Sequence, residues 1–430
     1  MTDGLEVWLD CDLVAGLTRV GTLSNDQGAI RFTYDSGWLE NPLCFMIDPL
    51  LTLDQAPFFP RPEAGNFGVF LDSSPDRWGQ TLMKRREALE AKDAGRKPRN
   101  LYAWDFLVGV QDVTRQGALR FRIAGEQDFV GNHPMAAPPV TSLRELAEVA
   151  RQLTSKRIDD LDSLKRWLSV LVAPGSSLGG ARPKANFLET DKSSWIAKFP
   201  AMDDDFDVGA WEGLTHSLAI QAGVIMPAAK TVRLGADFHT FCIQRFDRNP
   251  KGRVFYASAM TMLQAEESEG ASYLELAQFL QVSGAPEHQE ADLAQLFRRV
   301  AFNIAVGNRD DHLRNHGFLL TKHGWRLAPA FDINPNPHKA THVLNIDDQD
   351  NRPNLESLYR TGFFYGLSDS KAYEVIDEVL TAVANWRDVA RHMQISSAEV
   401  EVMDSVILGF DENQASSAIN TLSKQPRFRL

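Results

Sequence analysis

Between Gly307 and Asn315 the chain reads Gly-Asn-Arg-Asp-Asp-His-Leu-Arg-Asn, which sets Asp310 and Asn315 in a D-x-x-x-x-N spacing. A further acid, Asp332, follows in Ala330-Phe331-Asp332-Ile333. Carboxylate and amide oxygens are hard donors that suit magnesium, and one more carboxylate can take the proton of an attacking hydroxyl. Phosphoryl transfer needs such a set, because the reaction is mostly positioning and charge stabilisation. On the spacing alone a solvated polar turn is the commoner reading, and Asp332 behind a hairpin shifts the balance toward the chemistry.

The surrounding elements decide how such a loop is presented. Leu293, Leu296, Phe297, Val300, Ala301 and Ile304 recur at helical spacing, so an amphipathic helix should run to Val306 and stop at Gly307. Gly317-Phe318-Leu319-Leu320 and Trp325-Arg326-Leu327-Ala328 read as a hairpin turning at Lys322-His323-Gly324. Helix, polar loop, hairpin, then acid is the order of a protein-kinase catalytic region, with Asp310 as the acid that accepts the hydroxyl proton and Asn315 and Asp332 on the metal.

Upstream, Ala173 to Lys184 carries three glycines and two serines. Bare backbone N–H groups of that kind can fold over phosphates, and a plain hairpin turn fits equally well. Lys198 lies in the short strand Trp195-Ile196-Ala197-Lys198-Phe199-Pro200. It is either an edge-strand gatekeeper or the lysine that grips nucleotide phosphates. Such a lysine wants a carboxylate partner, and Glu212 opens an apolar helix that ends at Gly223. Strands over Thr231–Leu234 and Thr240–Phe246 then lead out of the sheet at Gln244, Arg245 and Phe246, where a kinase hinge would hold adenine by its backbone.

Composition narrows the class. The 430 residues exceed one ordinary core, and 43% hydrophobic with 24% charged residues is an ordinary globular mixture. Forty-five basic against 57 acidic side chains leave a net charge of -12. This disfavours wrapping nucleic acid, so any DNA link should come through a partner. Cys11, Cys44 and Cys242 lack C-x-x-C spacing, which excludes a zinc ribbon and suits a reducing compartment. No signal peptide or membrane span is expected, and the protein reads as cytoplasmic.

Before the Gly-rich stretch, short apolar runs at Glu6–Leu9, Val14–Leu17 and Ala29–Tyr34 predict a small antiparallel sheet. Ser73-Ser74-Pro75-Asp76 starts a helix bearing the basic run Lys84-Arg85-Arg86, a solvated face. Leu107–Val110 and Gly117–Arg122 add further strands, or a strand after a helix. Val130 to Pro139 is the best linker, and Thr141–Ser155 an amphipathic helix presenting Leu143, Leu146, Val149, Ala150 and Leu153. Helices near 272–282, 289–306, 370–394 and 397–409 follow. The fold class expected is α+β, a two-lobed protein-kinase-like fold. Residues 1–130 form an N-terminal β-rich subdomain, 140–250 the kinase N-lobe sheet, and 251–430 a mostly helical C-terminal lobe.

Taken together, these motifs resemble the HipA family of bacterial serine/threonine kinases, toxins of toxin-antitoxin pairs. The resemblance covers nearly the whole chain. It rests on Phe32-Thr33-Tyr34 with Trp38-Leu39, Pro75-Asp76-Arg77-Trp78-Gly79, Leu107-Val108-Gly109-Val110 and Gly117-Ala118-Leu119-Arg120-Phe121 in the first part. In the second it rests on Ser177-Leu178-Gly179-Gly180-Ala181-Arg182-Pro183-Lys184, Lys198, Asn308 to Asn315, and Ala330-Phe331-Asp332.

The resemblance implies ATP and Mg2+ as cofactors. Gly179, Gly180, Ala181, Arg182, Pro183 and Lys184 cover the phosphates; Lys198 with Glu212 contacts them; Gln244, Arg245 and Phe246 line adenine. Asp310 is catalytic, and His312, Asn315 and Asp332 complete the nucleotide and metal site. Ser177 matches an inhibitory autophosphorylated serine, with Ser176 beside it. A HipB-like DNA-binding antitoxin and a translation-related substrate such as an aminoacyl-tRNA synthetase are the implied partners.

Two departures stand out: no glycine follows Asp332, and the segment after Lys198 is short and acidic at Asp203-Asp204-Asp205-Phe206-Asp207. That charge suits either a basic substrate patch or a solvated loop. Two other readings remain: a metal-dependent hydrolase using Asp310, Asp311, His312 and His316, with His338 and His342 as a second pair, or a nucleotide-binding co-repressor without catalysis.

Overall fold

The first strand, β1 (Asp3–Leu9), is central to a four-stranded antiparallel sheet with β2 (Thr18–Asp26), β3 (Ala29–Tyr34) and β4 (Leu119–Ile123) in the order β3-β2-β1-β4. The computed structural model describes residues 3–131, 142–154, 182–235 and 238–407. Val7, Leu9, Leu23, Phe32 and Phe121 put a closed apolar layer on one face of this sheet. Val14–Leu17, expected as a strand, is bends and turn instead. Gly16 takes a φ of +75°, a left-handed conformation that breaks extension, and the strand begins only at Thr18.

The described chain divides into two compact units. The first comprises Met1–Asp205, Lys230–Glu266 and Gly317–Lys322; the second comprises Phe206–Ala229, Glu267–His316 and His323–Leu430. In the first unit a second four-stranded sheet runs β5-β6-β8-β7 from β5 (Lys184–Leu188), β6 (Ser194–Lys198), β7 (Ala229–Val232) and β8 (Thr240–Gln244).

The Arg77–Asp93 and Leu143–Thr154 helices pack on that second sheet. Trp78, Leu82 and Leu89 from one and Leu143, Leu146, Val149, Ala150 and Leu153 from the other meet Phe187, Trp195 and Ala197 in one core. The amphipathic spacing of Leu143 to Leu153 therefore supplied the apolar stripe it predicted. The helix bearing the basic run shares this core, across the linker-like stretch Val130 to Pro139.

Buried arginines add to the same unit. Arg245 donates to Asp247 at 2.7 and 2.9 Å, to Asn186 Oδ1 at 2.9 Å and to Thr114 O at 2.6 Å. Asp247 is pulled well below the carboxylate range because Arg245 and Arg248 beside it outweigh the burial that opposes its charge. These groups tie residues 114–117 to residues 245–248.

The second unit is mostly helical: Val208–Gln221, Tyr273–Ser283, Gln289–Val306, Asp369–Ala384, Trp386–His392 and Ser397–Asp404. Gln289–Val306 buries its apolar face in its first half and is enclosed all round from Arg299 to Val306, and it ends at Gly307, whose φ of +68° gives the left-handed cap. A Cβ there would lie 2.5 Å from Val406 Cγ1, so glycine is required twice over. The single helix expected over 370–394 breaks at Asn385. The break lets Trp386 bury completely, its ring 6.1 Å from that of Trp211. The helix carrying Glu212 starts earlier than expected, at Val208, because Asp207 caps it by accepting from Ala210 N at 3.0 Å. Among the described residues, no helix is long and apolar enough to cross a membrane.

Candidate active site

The loop after Gly307 sorts its two adjacent acids into opposite environments. Asp311 turns into the core, where its Oδ2 accepts from Tyr273 Oη at 2.6 Å and Asn303 Nδ2 at 2.7 Å, and pairs with His316 Nε2 at 2.7 Å. Burial opposes its charge, yet His316 and these hydrogen bonds hold the carboxyl below its ordinary value. Asp310 faces the other way, with 57% of its side chain exposed, and its carboxylate meets the Lys339 ammonium. Arg309 donates to Lys339 O at 2.6 Å, fixing the loop that supplies that lysine.

Asparagines carry the connection from the helix into the loop and beyond. Asn303 Oδ1 accepts from Asn308 Nδ2 at 3.1 Å, and Asn336 N donates to Gly307 O at 3.0 Å. The segment holding Asp332 is thereby laid beside the turn after Gly307. Asp332 itself has a φ of +58°, in the left-handed region that aspartate tolerates better than most residues.

Several polar atoms here are buried without a hydrogen-bond partner among the described residues, among them Asn315 Oδ1, His312 Nδ1 and Asn334 Oδ1, with Arg309 Nε, His316 Nδ1 and both His342 ring nitrogens nearby. Native interiors rarely leave such atoms unpaired, and a ligand or ion commonly completes them. An orphaned amide oxygen on Asn315, on the loop laid beside the Asp332 segment, fits a hard divalent cation. Asn334 was not among the expected site residues. The signal available was its place two positions after Asp332, within Asp332-Ile333-Asn334.

The remaining expected residues lie as follows. Lys198 ends β6 and is 7% exposed. Lys184, directly opposite it in the ladder, is equally buried and pairs with Asp76 at 2.7 Å. Opposed residues in such a pair share a face, so the Lys184–Asp76 pair lies on the same face as Lys198. Trp78 Nε1 donates to Lys184 O at 3.1 Å, and Asp76 Oδ1 also caps its helix through Gly79 N at 2.8 Å. Pro75-Asp76-Arg77-Trp78-Gly79 is thus a clamp on β5.

Arg182 makes a two-pronged pair with Asp204 at 2.5 and 2.8 Å. Asp204 is therefore engaged inside the unit, unlike its exposed neighbours Asp203 and Asp205. Pro183 is buried. The Arg245 guanidinium is consumed by the Asp247 network, and the Arg245 backbone N–H donates to Ser194 O at 2.9 Å. Gln244 pairs with Trp195 in the ladder, and Phe246 lies 5.8 Å from the Tyr256 ring. Glu212, in the second unit, is buried on its helix. Gly179, Gly180, Ala181, Ser176 and Ser177 lie outside the described residues.

The hydrolase grouping loses two members, because Asp311 and His316 are spent on each other. Among the described residues, no group of three or more His, Cys, Asp or Glu side chains is arranged to hold a metal.

Comparison with known proteins follows this geometry. The description HipA N-terminal domain matches residues 6–97, and HipA-like C-terminal domain matches residues 176–386. This chain belongs to the HipA family. A solved structure described as the Shewanella oneidensis MR-1 toxin-antitoxin system HipA, HipB and operator DNA complex superposes with a TM-score of 0.63 at 17% identity. The match covers 97% of this chain and 96% of that one.

That HipA likeness carries the fold, and the expected α+β kinase-like class agrees with it. Two curated relatives are each 26% identical over 185 residues. One is a Sinorhizobium fredii protein named "Putative kinase Y4dM" and the other a Haemophilus influenzae protein with the same description but no gene label. The matched regions are 36% and 37% of this chain, and the chain spans about half the length of these relatives, 44% and 52%.

Proposed function

We propose that this HipA-family chain is an ATP- and magnesium-dependent serine/threonine protein kinase. The observation that carries the reading is the division of labour in the loop after Gly307: Asp311 is locked into the core, Asp310 is presented outward, and Asn315 keeps an unpartnered buried oxygen. Bound Mg-ATP would supply the phosphoryl group and much of the charge neutralisation.

The chain's own residues do the rest. Asp310 accepts the proton of the substrate hydroxyl and aims its oxygen. Asn315 and Asp332 hold the ion through oxygen, and His312 borders the nucleotide. Lys198 grips the phosphates, which the Gly179 to Pro183 stretch covers with backbone N–H groups. Lys184, which follows that stretch in sequence, is itself paired with Asp76. Gln244, Arg245 and Phe246 line adenine at the exit of the sheet, where both the Arg245 side chain and its backbone N–H are committed within the protein.

Regulation and partners follow the family resemblance. Ser177, or Ser176 beside it, is the self-phosphorylated site: a phosphate adds about -1.5 to -2 charges and would pull a phosphate-covering loop out of register. A HipB-like DNA-binding antitoxin is the partner, supported by the likeness to the HipA of a solved HipA, HipB and operator DNA complex. The substrate class is a translation-related protein such as an aminoacyl-tRNA synthetase. A strongly acidic chain suits reaching DNA only through that antitoxin.

The test is incubation of the purified protein with Mg-ATP, phosphosite mapping by mass spectrometry, and repetition with cell extract. Phosphate on Ser177 or Ser176, lost in Asp310→Ala, is expected. A protein that binds no nucleotide and transfers no phosphate overturns the reading.

A further inference from the structure

Thr215 lies one helical turn beyond Glu212 and is completely buried. Its hydroxyl has a single proton to donate. Two carbonyls of its own helix, Trp211 O and Glu212 O, lie at 3.1 and 3.0 Å, distances usual for a helical threonine. Ile333 O lies closer, at 2.7 Å, from a position 118 residues along the chain. The nearest acceptor at an O–H···O distance near the mode is thus outside the helix.

Ile333 directly follows Asp332, whose left-handed backbone is costly for a residue with a Cβ. Such conformations persist where the surroundings over-determine them. Here the chain is pinned on both sides. Ala330 N donates to Ile225 O at 2.8 Å, and Asn336 N donates to Gly307 O at 3.0 Å. Between those two points the Ile333 carbonyl is fixed by Thr215. Asn334 N also reaches Asn308 Oδ1, at 3.5 Å, and Ile225 follows the end of the Thr215 helix, so two of the four anchors belong to that helix and its exit.

We infer that Thr215 is a positioning residue: through Ile333 O it holds Asp332 in the left-handed conformation and couples the helix carrying Glu212 to that carboxylate. The metal-facing part of this role rests on the kinase reading above. The backbone part does not.

The test uses the full chain with Thr215→Val, which keeps the shape and removes the donor, and Thr215→Ser, which restores it. Two readouts are taken: magnesium titration of the thermal stabilisation given by ATP, and the φ of Asp332 in a crystal structure of each variant. Thr215→Val should raise the magnesium half-saturation on the order of ten-fold, the equivalent of one lost buried hydrogen bond, with a smaller change in ATP half-saturation at excess magnesium. Thr215→Ser should return it to the parent value. Asp332 should leave the left-handed region in the valine variant.

A folded Thr215→Val protein with parental magnesium dependence, or with Asp332 still left-handed, overturns the inference. If the valine variant does not fold, Thr215→Ala removes the same donor and carries the same expectations. If the parent protein shows no magnesium-dependent stabilisation by ATP, the kinase reading fails and the Asp332 backbone alone decides the role of Thr215.

Discussion

Tyr273 and Asp311 meet through a 2.6 Å hydrogen bond inside the helical unit, and both side chains are almost wholly withdrawn from water. Burial and the neighbouring carboxylate push the phenol well above its ordinary value, so it stays a donor at any working pH. This contact, with those from Asn303 and His316, decides which of two adjacent acids is free to act.

Asp310→Ala and Asp332→Ala should therefore abolish phosphate transfer while leaving the fold intact. Asp311→Ala should act through stability. It leaves three buried donors facing an empty place, a loss on the order of 3–5 kcal/mol for a broken buried pair. Denaturant midpoints of the three variants separate the roles; equal midpoints with equal loss of transfer would reverse the assignment. The linkage has a definite sign. A carboxyl depressed in the fold stabilises above its ordinary pKa and loses that contribution as pH falls through the folded value. Asp311→Asn should flatten the stability curve below about pH 4.

The clamp on β5 makes a second prediction. Lys184→Met removes the cation paired with the buried Asp76, while Asp76→Asn removes the carboxylate paired with the Lys184 ammonium opposite Lys198. Each single change should cost roughly 3–5 kcal/mol, and the double change less than their sum. Thermal unfolding of the four proteins in the cycle tests this; additive losses would mean that the pair is not coupled.

Arg182 and Asp204 offer a third. Because Asp204 is engaged by Arg182 and by Ala201 N at 2.7 Å, Asp204→Ala should cost about 1–3 kcal/mol, whereas Asp203→Asn and Asp205→Asn should stay near the parent. A patch built to receive a basic substrate would behave otherwise, with weaker substrate binding in all three and unchanged unfolding midpoints.

These predictions mark what could be seen in the residues beforehand. The Gln289–Val306 helix was legible because apolar side chains at helical spacing and a glycine stop act within a few residues of one another. The strands before and after the loop were legible for the same local reason. The partners were not. Tyr273 reaches Asp311 across 38 positions and Thr215 reaches Ile333 across 118, and no periodicity relates residues that far apart. Arg245 shows the converse: its place at a strand exit suggested adenine, but its charge was needed in a buried network with Asp247. The clamp motif around Asp76 was visible as residues, and what it gripped was not.

His342 provides the last expectation. It is 2% exposed, and burial pushes its imidazole down to about 4, with Arg309 acting in the same direction and Asp311 against it. An unfolded chain binds that proton near the ordinary value of 6.5, so stability falls as pH drops from 6.5 to about 4 and this residue's contribution is flat outside that window. The span corresponds to roughly 3 kcal/mol. His342→Leu should remove this slope while leaving stability at pH 7.5 little changed, because the ring is already neutral there. Urea unfolding of the two proteins across the window decides it. Parallel curves would mean that the imidazole does not stay neutral in the core, and that the packing around Asp311 accommodates a second charge.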